Sequence, residues 1–533
     1  MNKPPSGSQL STKLPSTAIM AGMKTAFFAT LVLSSPFATA ATGVVFHDLN
    51  ANGVRDKGEP GLPGVPVSNQ KEIVLTNAEG NWELPHDEDT IFFVIKPQGW
   101  ATQLKEDNTP LFYYIHKPAG SPAKLRYPGV KPTGSLPASI DFALTKQEEP
   151  HKFKAIFFGD PQPSNIEQVD HIAHDVIAEL IGTDAKFGVT LGDIMFDRLD
   201  LFDASNANLA LVGIPWYNVV GNHDLNFDSN TDEGSDETFH RYFGPNYYSF
   251  DYGPTHFIVL DDVSWGIKGN GKRSYTGGLD ADQIAFVKND LALVPENKLI
   301  MLMMHIPLTN VGNRQELYRL IEKRPYTLSI SGHTHWHAHH YIGEEDGWQG
   351  AEPHHHIINV TVSGSWWKGN KDEVGIPHTT MRDGAPNGYS IITFDGTSHT
   401  LDFKAARQPA DYQLSIHAPS SVKAGDIGKH SVYVNVFNGS KKSVVKMRLA
   451  KTAEWIPMAK TLEADPHYVE TREREIKANP ESKRHLSGPI KSDHLWKANL
   501  PAKLKTGSHL IEIEATDTYG RPHTGKRIIR VEE

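Results

Sequence analysis

Phe187-Gly188-Val189-Thr190-Leu191-Gly192-Asp193 reads as a buried strand that stops on a glycine and a carboxylate. An uncharged run of this length suits a strand covered on both faces, and the glycine lets the backbone turn where the strand ends. Four other segments repeat the design. Phe153 to Phe158 runs into Gly159-Asp160-Pro161-Gln162, and Trp216 to Val220 into Gly221-Asn222-His223-Asp224. Met301-Leu302-Met303-Met304 runs into His305, and Tyr326 to Ile330 leads to Gly332-His333-Thr334-His335. Between them Ile166 to Ile181 has helical spacing, and Thr255 to Leu260 is a further strand. Buried strands alternating with helices predict a layered α/β core. The carboxyl ends of such strands converge on one crevice, so the Asp, Asn, Gln and His side chains should gather there. Singly the pieces say little: Gly-Asp is a common turn, and a lone His on an apolar strand is usually a satisfied core residue. Five in this order, each after a buried strand, form a constellation suited to holding metal.

Working outward, the composition changes on both sides. The chain has 533 residues, enough for about three domains at roughly 100–200 residues each. Residues 41–149 are rich in Gly, Pro and Asn, with short β runs such as Ile91-Phe92-Phe93-Val94-Ile95; they predict a small β-sandwich-like domain. Its part from Lys117 to Pro137 reads as a wandering surface loop. Residues 150–405 are the α/β core. Residues 406–533 return to alternating strands, at Ser431 to Val436, Gly507 to Ala515 and Arg527 to Val531, and predict a second all-β sandwich-like domain. The mixed-charge stretch from Arg472 to Arg484 reads as a solvated face or loop.

Residues 1–40 carry an address. Met23-Lys24, the apolar run Ala26 to Leu33 and Ala38-Thr39-Ala40 have the layout of a secretory signal cleaved after Ala40. The polar residues Met1 to Gly22 before it suggest an over-extended start. The apolar run is too short to span a bilayer, and no later segment has the length of a transmembrane helix. A periplasmic or secreted protein is expected. A net charge of -10 with no basic stripe argues against a nucleic-acid surface. The chain has no cysteine, so disulfides and thiolate metal sites are excluded.

Asp48 to Glu59 fits a twelve-residue calcium loop, with oxygen ligands at Asp48, Asn50, Asn52, Asp56 and Glu59 and a glycine at Gly53 for the sharp turn. Val44-Val45-Phe46 before it looks like a strand and not an EF-hand helix. With Gly61-Leu62-Pro63-Gly64-Val65 and Thr76-Asn77-Ala78-Glu79-Gly80, the stretch Gly43 to Gly80 resembles the B-type modules of bacterial surface adhesins. That resemblance implies a structural calcium; the alternative is an Asn/Asp/Gly-rich turn held by its own hydrogen bonds.

In order and spacing the five core segments resemble the calcineurin-like metallophosphoesterase superfamily. Tyr247-Tyr248-Ser249-Phe250-Asp251, the strand ending Leu260-Asp261-Asp262, and Asn387-Gly388-Tyr389 support the match. The resemblance implies two divalent ions, which oxygen and nitrogen ligands would let be Mn, Fe, Zn or Mg. Asp193 would bridge them; Asp160, Gln162 and His335 would complete one site, and Asn222, His305 and His333 the other. The implied reaction is hydrolysis of a phosphodiester or phosphomonoester by a metal-activated hydroxide. His223 would be the general acid, with Asp224 orienting its ring. Two positions depart from the common pattern. Gln162 stands where His is usual, and Phe196 where a carboxylate is expected, with Asp197 one residue on. Asp197 is read as a group behind the ligands.

His337, His339, His340, His354, His355 and His356 read as a polar loop lying over the metal site. Trp366, Asp383, Asn387 and Tyr389 are candidate walls of a substrate pocket, and Trp366-Trp367 suits core equally. The substrate would be a small-molecule, lipid or glycan phosphate ester. A competing reading is a surface-attachment protein with a vestigial metal site. A third is a nucleotidase acting on nucleotide diphosphates.

Overall fold

The computed structural model describes residues 40–269, 271–449 and 454–533. Residues 1–39, where the expected signal falls, lie outside the described residues. Two sheets form the central region. In the first, Trp216–Val219, Phe187–Leu191 and Lys152–Phe158 run parallel, and Gly388–Asp395 and Ser398–Ala405 add antiparallel neighbours. In the second, Thr255–Val259, Leu299–Met303, Thr327–Ser331 and His354–Ile358 run parallel, with Tyr248–Tyr252 and Ala338–Ile342 antiparallel at the edges. The two sheets meet through aromatic rings: Phe187 lies 5.2 Å and Phe394 5.3 Å from Phe257, centroid to centroid. Such edge-to-face contacts suit large apolar rings in a closed core.

The other face of the first sheet carries Ile156 and Phe158, which pack with Ile172, Val176 and Ile177. These come from the helical stretch expected at Ile166 to Ile181. It opens with Asn165, whose side chain accepts the Gln168 N–H, and passes through a π-helical segment at Ala173–Ile177. Parallel strands all end on one side, which brings the five ligand segments to one edge of the central region.

Residues 40–149 hold two further sheets, one ordered Asn81–Pro85, Ala40–His47, Phe142–Lys146, Trp100–Leu104 and Pro110–Leu111. This region is bound to the core. The buried Lys96 ammonium lies 2.6 Å from Glu149 and donates to the Asp251 carbonyl at 2.7 Å. The segment from Lys117 to Pro137 is irregular, as expected, but it does not wander. Lys117 pairs with Glu237 at 2.6 Å, and Tyr127 donates its hydroxyl to the Asp197 carbonyl at 2.8 Å.

Residues 406–533 form two more sheets, centred on Ser431–Val436 and on Gly507–Thr516. They also contain a 13-residue helix, Pro466–Ala478, so the region is not all-β. Asp465 caps this helix by accepting the His467 and Tyr468 N–H groups, and Pro466 suits its first turn. The expected solvated stretch at Arg472 is therefore half helix. Its Glu475 is buried, pairs with His378 at 2.8 Å and accepts the Asn370 N–H. Among the described residues no helix is long and apolar enough to cross a membrane.

The six clustered histidines are not a loop over the site. His339 and His340 lie on Ala338–Ile342, and His354, His355 and His356 on its partner His354–Ile358. They are held inside by matched polar partners. Ser329 bonds His354 and His356, both at 2.7 Å, and Asn438 bonds His339 at 2.7 Å. Burial drives their ring pKa values down, His354 to about 3 and His339 to about 4. His337 and His339 meet Asn438 of the C-terminal region, whereas His354 and His356 bond within the core.

Candidate metal centre

Asp193, His305 and His333 each offer an atom such that all three lie within 4.8 Å of one another. Around them the structure gathers the remaining expected ligands. His305 Nδ1 lies 2.9 Å from the Leu191 carbonyl and can donate only to it, which turns Nε2 inward as a lone pair. That Nε2 lies 3.0 Å from Asn222 Oδ1, 3.1 Å from His333 Nδ1 and 3.3 Å from Asp193 Oδ1. Acceptors facing acceptors need a positive charge between them, which here is a proton or a cation. His335 Nδ1 likewise donates to the Gly364 carbonyl at 2.7 Å and leaves Nε2 at 3.8 Å from Asp160 Oδ1. Gln162 donates to Asp193 Oδ2 at 2.7 Å, and its Oε1 is buried with no hydrogen-bond partner. An orphaned buried oxygen beside two carboxylates and two imidazole lone pairs is the donor set a hard or borderline divalent ion takes. The residues fit the divalent metal ions that the resemblance implies.

Backbone conformation points the same way. Asp160, Gln162, Asp193, His333 and His335 have φ of 42°, 48°, 48°, 74° and 58°. Non-glycine residues seldom occupy this left-handed region, and each costs on the order of 1–3 kcal/mol. Such strain clusters where side chains must converge on a ligand. Two glycines make room. A Cβ on Gly192, itself at φ 80°, would lie 2.5 Å from His305 Nδ1, and one on Gly221 would lie 1.9 Å from the Asp193 nitrogen.

Charge is distributed to match. Burial raises Asp160 to about 8. For Asp193 burial works in the same direction, but His305 and His223 outweigh it and hold its carboxyl below the usual range. Burial opposes charge on His305, yet Asp193 and then Asp160 push it up to about 10. His333 and His335 fall to about 4 and about 3, chiefly by burial, and so present neutral rings.

His223 sits at the rim, with a side chain 25% exposed. Its Nδ1 lies 2.6 Å from Asp197 Oδ1, and its ring stacks on Phe196 at 4.4 Å and 17°. Burial disfavours the imidazolium, but Asp193 and Asp197 overcome it and raise His223 to about 9. Asp224 adds to the upward push on His223 but makes no hydrogen bond to its ring. Its buried carboxylate accepts the N–H groups of Gly221, Ile194 and Met195 at 2.9–3.0 Å, binding the two ligand loops together. Asp197 holds the ring instead, and Tyr127 in turn holds Asp197.

The expected substrate wall divides. Trp366 stacks on His335 at 4.0 Å and lines a cavity of about 400 Å³. Trp367 also borders this cavity, though most of its ring is buried, and it donates to the Pro161 carbonyl. Asp383 lies away from the cavity, bonded to the His337 N–H and to His494 at 2.9 Å. Asn387 donates to Asp175 and the Val362 carbonyl, and Tyr389 packs on Phe158. Both are buried, Asn387 by these hydrogen bonds just before the strand Gly388–Asp395 and Tyr389 on the strand itself. The sequence reading missed Phe196, Lys368, Lys483 and Arg484 on the cavity wall, and Tyr275, 5.9 Å from His333.

In the Asp48 loop the side chains are engaged with the loop itself. Asp48 accepts the Asn52 and Gly53 N–H groups, Glu59 those of Leu49 and Asp56, and Asp56 the amides of Asn50 and Asn52. Among the described residues these carboxylates do not gather as Asp193, His305 and His333 do.

Comparison with known proteins agrees with the centre. No curated protein matches the chain. Similar solved structures include the purple acid phosphatase PPD1 from yellow lupin (Lupinus luteus) seeds, 14% identical, with a TM-score of 0.36 over 64% of this chain and 67% of that one. CopC from Methylosinus trichosporium OB3b is 13% identical, with a TM-score of 0.14 over 22% of this chain and 89% of that one. Likeness at this level leaves function to the site. Three family models match: the N terminal of calcineurin-like phosphoesterase at residues 49–129, calcineurin-like phosphoesterase itself at 153–337, and the C terminal of calcineurin-like phosphoesterase at 356–523. With these matches falling in order along the chain, and the Asp193 centre inside the middle one, the protein belongs to the calcineurin-like phosphoesterase family and is a metal-dependent phosphoester hydrolase.

Proposed function

We propose that this is a secreted or periplasmic hydrolase of a phosphodiester or phosphomonoester, working with two divalent ions and a histidine acid. The observation that carries the reading is the inward-facing His305 Nε2, ringed by Asn222, Asp193 and His333. Asp193 would be the shared ligand; Asp160, Gln162 and His335 would hold one ion, and Asn222, His305 and His333 the other. When bound, the ions supply Lewis acidity and bring a water's pKa towards neutrality. The chain's own residues do the rest. Asp193 carries the negative charge of the site, Asp160 would give up the proton that burial favours on taking up its ligand role, and neutral His333 and His335 keep lone pairs available. His223 stands at the rim in its protonated form, able to give a proton to the departing oxygen, and Asp197 and Phe196 set its angle. General-acid help of this kind is worth about 10²–10⁴ in rate.

The finer architecture belongs to the same proposal: an α-β-β-α layered core between two sandwich-like flanking regions, with a structural calcium at Asp48 to Glu59. Complete ligands and a held His223 favour hydrolysis over a vestigial centre. The test is bis-p-nitrophenyl phosphate with added Mn, Zn or Mg. Hydrolysis is expected with at least one metal and its loss on chelation; no turnover with any of them would refute the reading.

A further inference from the structure

The cavity beside the centre is built from two distant parts of the chain. Gln162, Phe196, Trp366 and Lys368 come from the core; Lys483 and Arg484 come from the loop after helix Pro466–Ala478. Its position relative to the chemistry is fixed by two stacks. Phe196 lies flat against the acid His223, and Trp366 against the ligand His335. The cavity therefore borders the ligand Gln162 and the two rings that stack on His223 and His335.

Its chemistry is uneven. Phe196 and Trp366, with an edge of the mostly buried Trp367, offer flat apolar surface. Three cations, Lys368, Lys483 and Arg484, stand around them, and among the described residues no carboxylate lines the cavity. Lys368 lies 5.5 Å from the Trp366 ring centroid. Arg484 has only a distant contact, 3.9 Å, with Glu167, which already binds Lys371 at 2.7 Å. Lys483 makes no ion pair among the described residues. The field here is positive in a protein whose net charge is -10.

The loop that brings two of these cations is anchored, not adventitious. The Gly369 N–H donates to the Arg484 carbonyl at 2.7 Å, and the Ser487 N–H to Ser365 Oγ at 3.2 Å. Tyr468 donates to the Ser487 carbonyl at 2.8 Å, and Arg382 to that of Gly488 at 3.1 Å. These bonds tie the loop to the segment that carries Trp366 and Lys368.

We propose that the C-terminal region completes the substrate site, and that Lys483 and Arg484, with Lys368, select a phosphate ester whose leaving part is flat or apolar and bears a second negative charge. This rests on the phosphoesterase reading and adds the substrate class. The two faces hold the apolar portion, and the cations meet the second anion by charge-assisted hydrogen bonds, which are stronger than neutral ones.

The probes are phenyl phosphate and 4-carboxyphenyl phosphate, with their methyl diesters, assayed with Mn, Zn and Mg. They differ only in the second anion. Wild type is expected to show higher kcat/KM on the carboxylated ester. In Lys483→Ala/Arg484→Ala the ratio of the two kcat/KM values should fall by about tenfold, a modest loss for two half-solvated charge-assisted contacts. Lys483→Glu/Arg484→Glu should invert the preference, and Lys483→Arg/Arg484→Lys should restore it. Bound metal, measured in each variant, reports an intact centre. Hydrolysis of both esters with a ratio that no variant moves would overturn this inference alone. Failure of wild type on all four esters would end the phosphoesterase reading and this inference with it.

Discussion

Asp197→Asn isolates the group that holds the acid. Asp197 lies 2.6 Å from His223 Nδ1, and the substitution keeps the shape while removing the charge. Burial opposes protonation of His223, and the Asp193 and Asp197 charges oppose burial. In the proposed ligand set the Asp193 carboxylate would be engaged by cations, which would leave Asp197 as the partner for the ring. An opposite charge at such a distance shifts a pKa by about 1–3 units. The Asp197 side chain is 38% exposed, so solvent screening argues for the low end, about one unit. The sign follows. Losing the carboxylate lowers the pKa of His223, so the acid form is lost at lower pH and the alkaline limb of kcat moves down by about one unit. On that limb the variant should be about tenfold slower than wild type, and on the acid side, where both rings are protonated, nearly equal. The assay is kcat against pH on an alkyl and a p-nitrophenyl diester, with metal content checked. The alkyl ester should show the larger loss, because a poor leaving group needs the proton more. A loss equal at every pH, or equal on both esters, would refute the acid role and Asp197's part in it.

His223→Ala should keep its metal and lose activity by about 10²–10⁴, most on poor leaving groups; loss of metal would contradict its rim position. Gly192→Ala places a Cβ 2.5 Å from His305 Nδ1 at φ 80°, and should weaken metal binding and lower Tm, whereas unchanged values would refute the close packing. Calcium should raise Tm in wild type and not in Asp48→Ala; no shift in wild type would leave the loop held by its hydrogen bonds alone. Burial lowers His339 and His354 below the ordinary histidine value, so below about pH 6.5 the unfolded chain binds the extra protons. Stability should fall from there towards pH 4, by about 1.4 kcal/mol per such histidine for each pH unit, until each folded pKa is reached; a flat Tm across that range would contradict it.

The core strands and ligand loops are legible in the sequence because a strand buried on both faces must be apolar, and its end must turn. Phe187 to Asp193 shows both at once. What is hidden follows from contacts distant in sequence. A strand reading His-His-His-Ile-Ile breaks the apolar rule, and the hydroxyls of Thr327, Ser329 and Ser331 make His354 and His356 tolerable inside. Asp383 has the residue type of a pocket wall, but His337 and His494 claim its carboxylate. Asp224 follows His223 directly, yet neighbours along a turn point apart, so the nearer carboxylate in space is Asp197. Lys483 and Arg484 carry no motif at all; only the fold brings them to Trp366. One signal was available. Phe196 stands where the family has a carboxylate, and an aromatic substitution at a ligand loop hints at a surface for the substrate.

The central claim is that Asp193 holds two ions side by side. Elemental analysis of Mn-loaded wild type and Asp193→Asn, paired with turnover of bis-p-nitrophenyl phosphate, tests it directly. Two ions per chain and turnover in wild type, with both lost in the variant, are predicted; a variant that keeps two ions, or that still hydrolyses the ester without them, would contradict it.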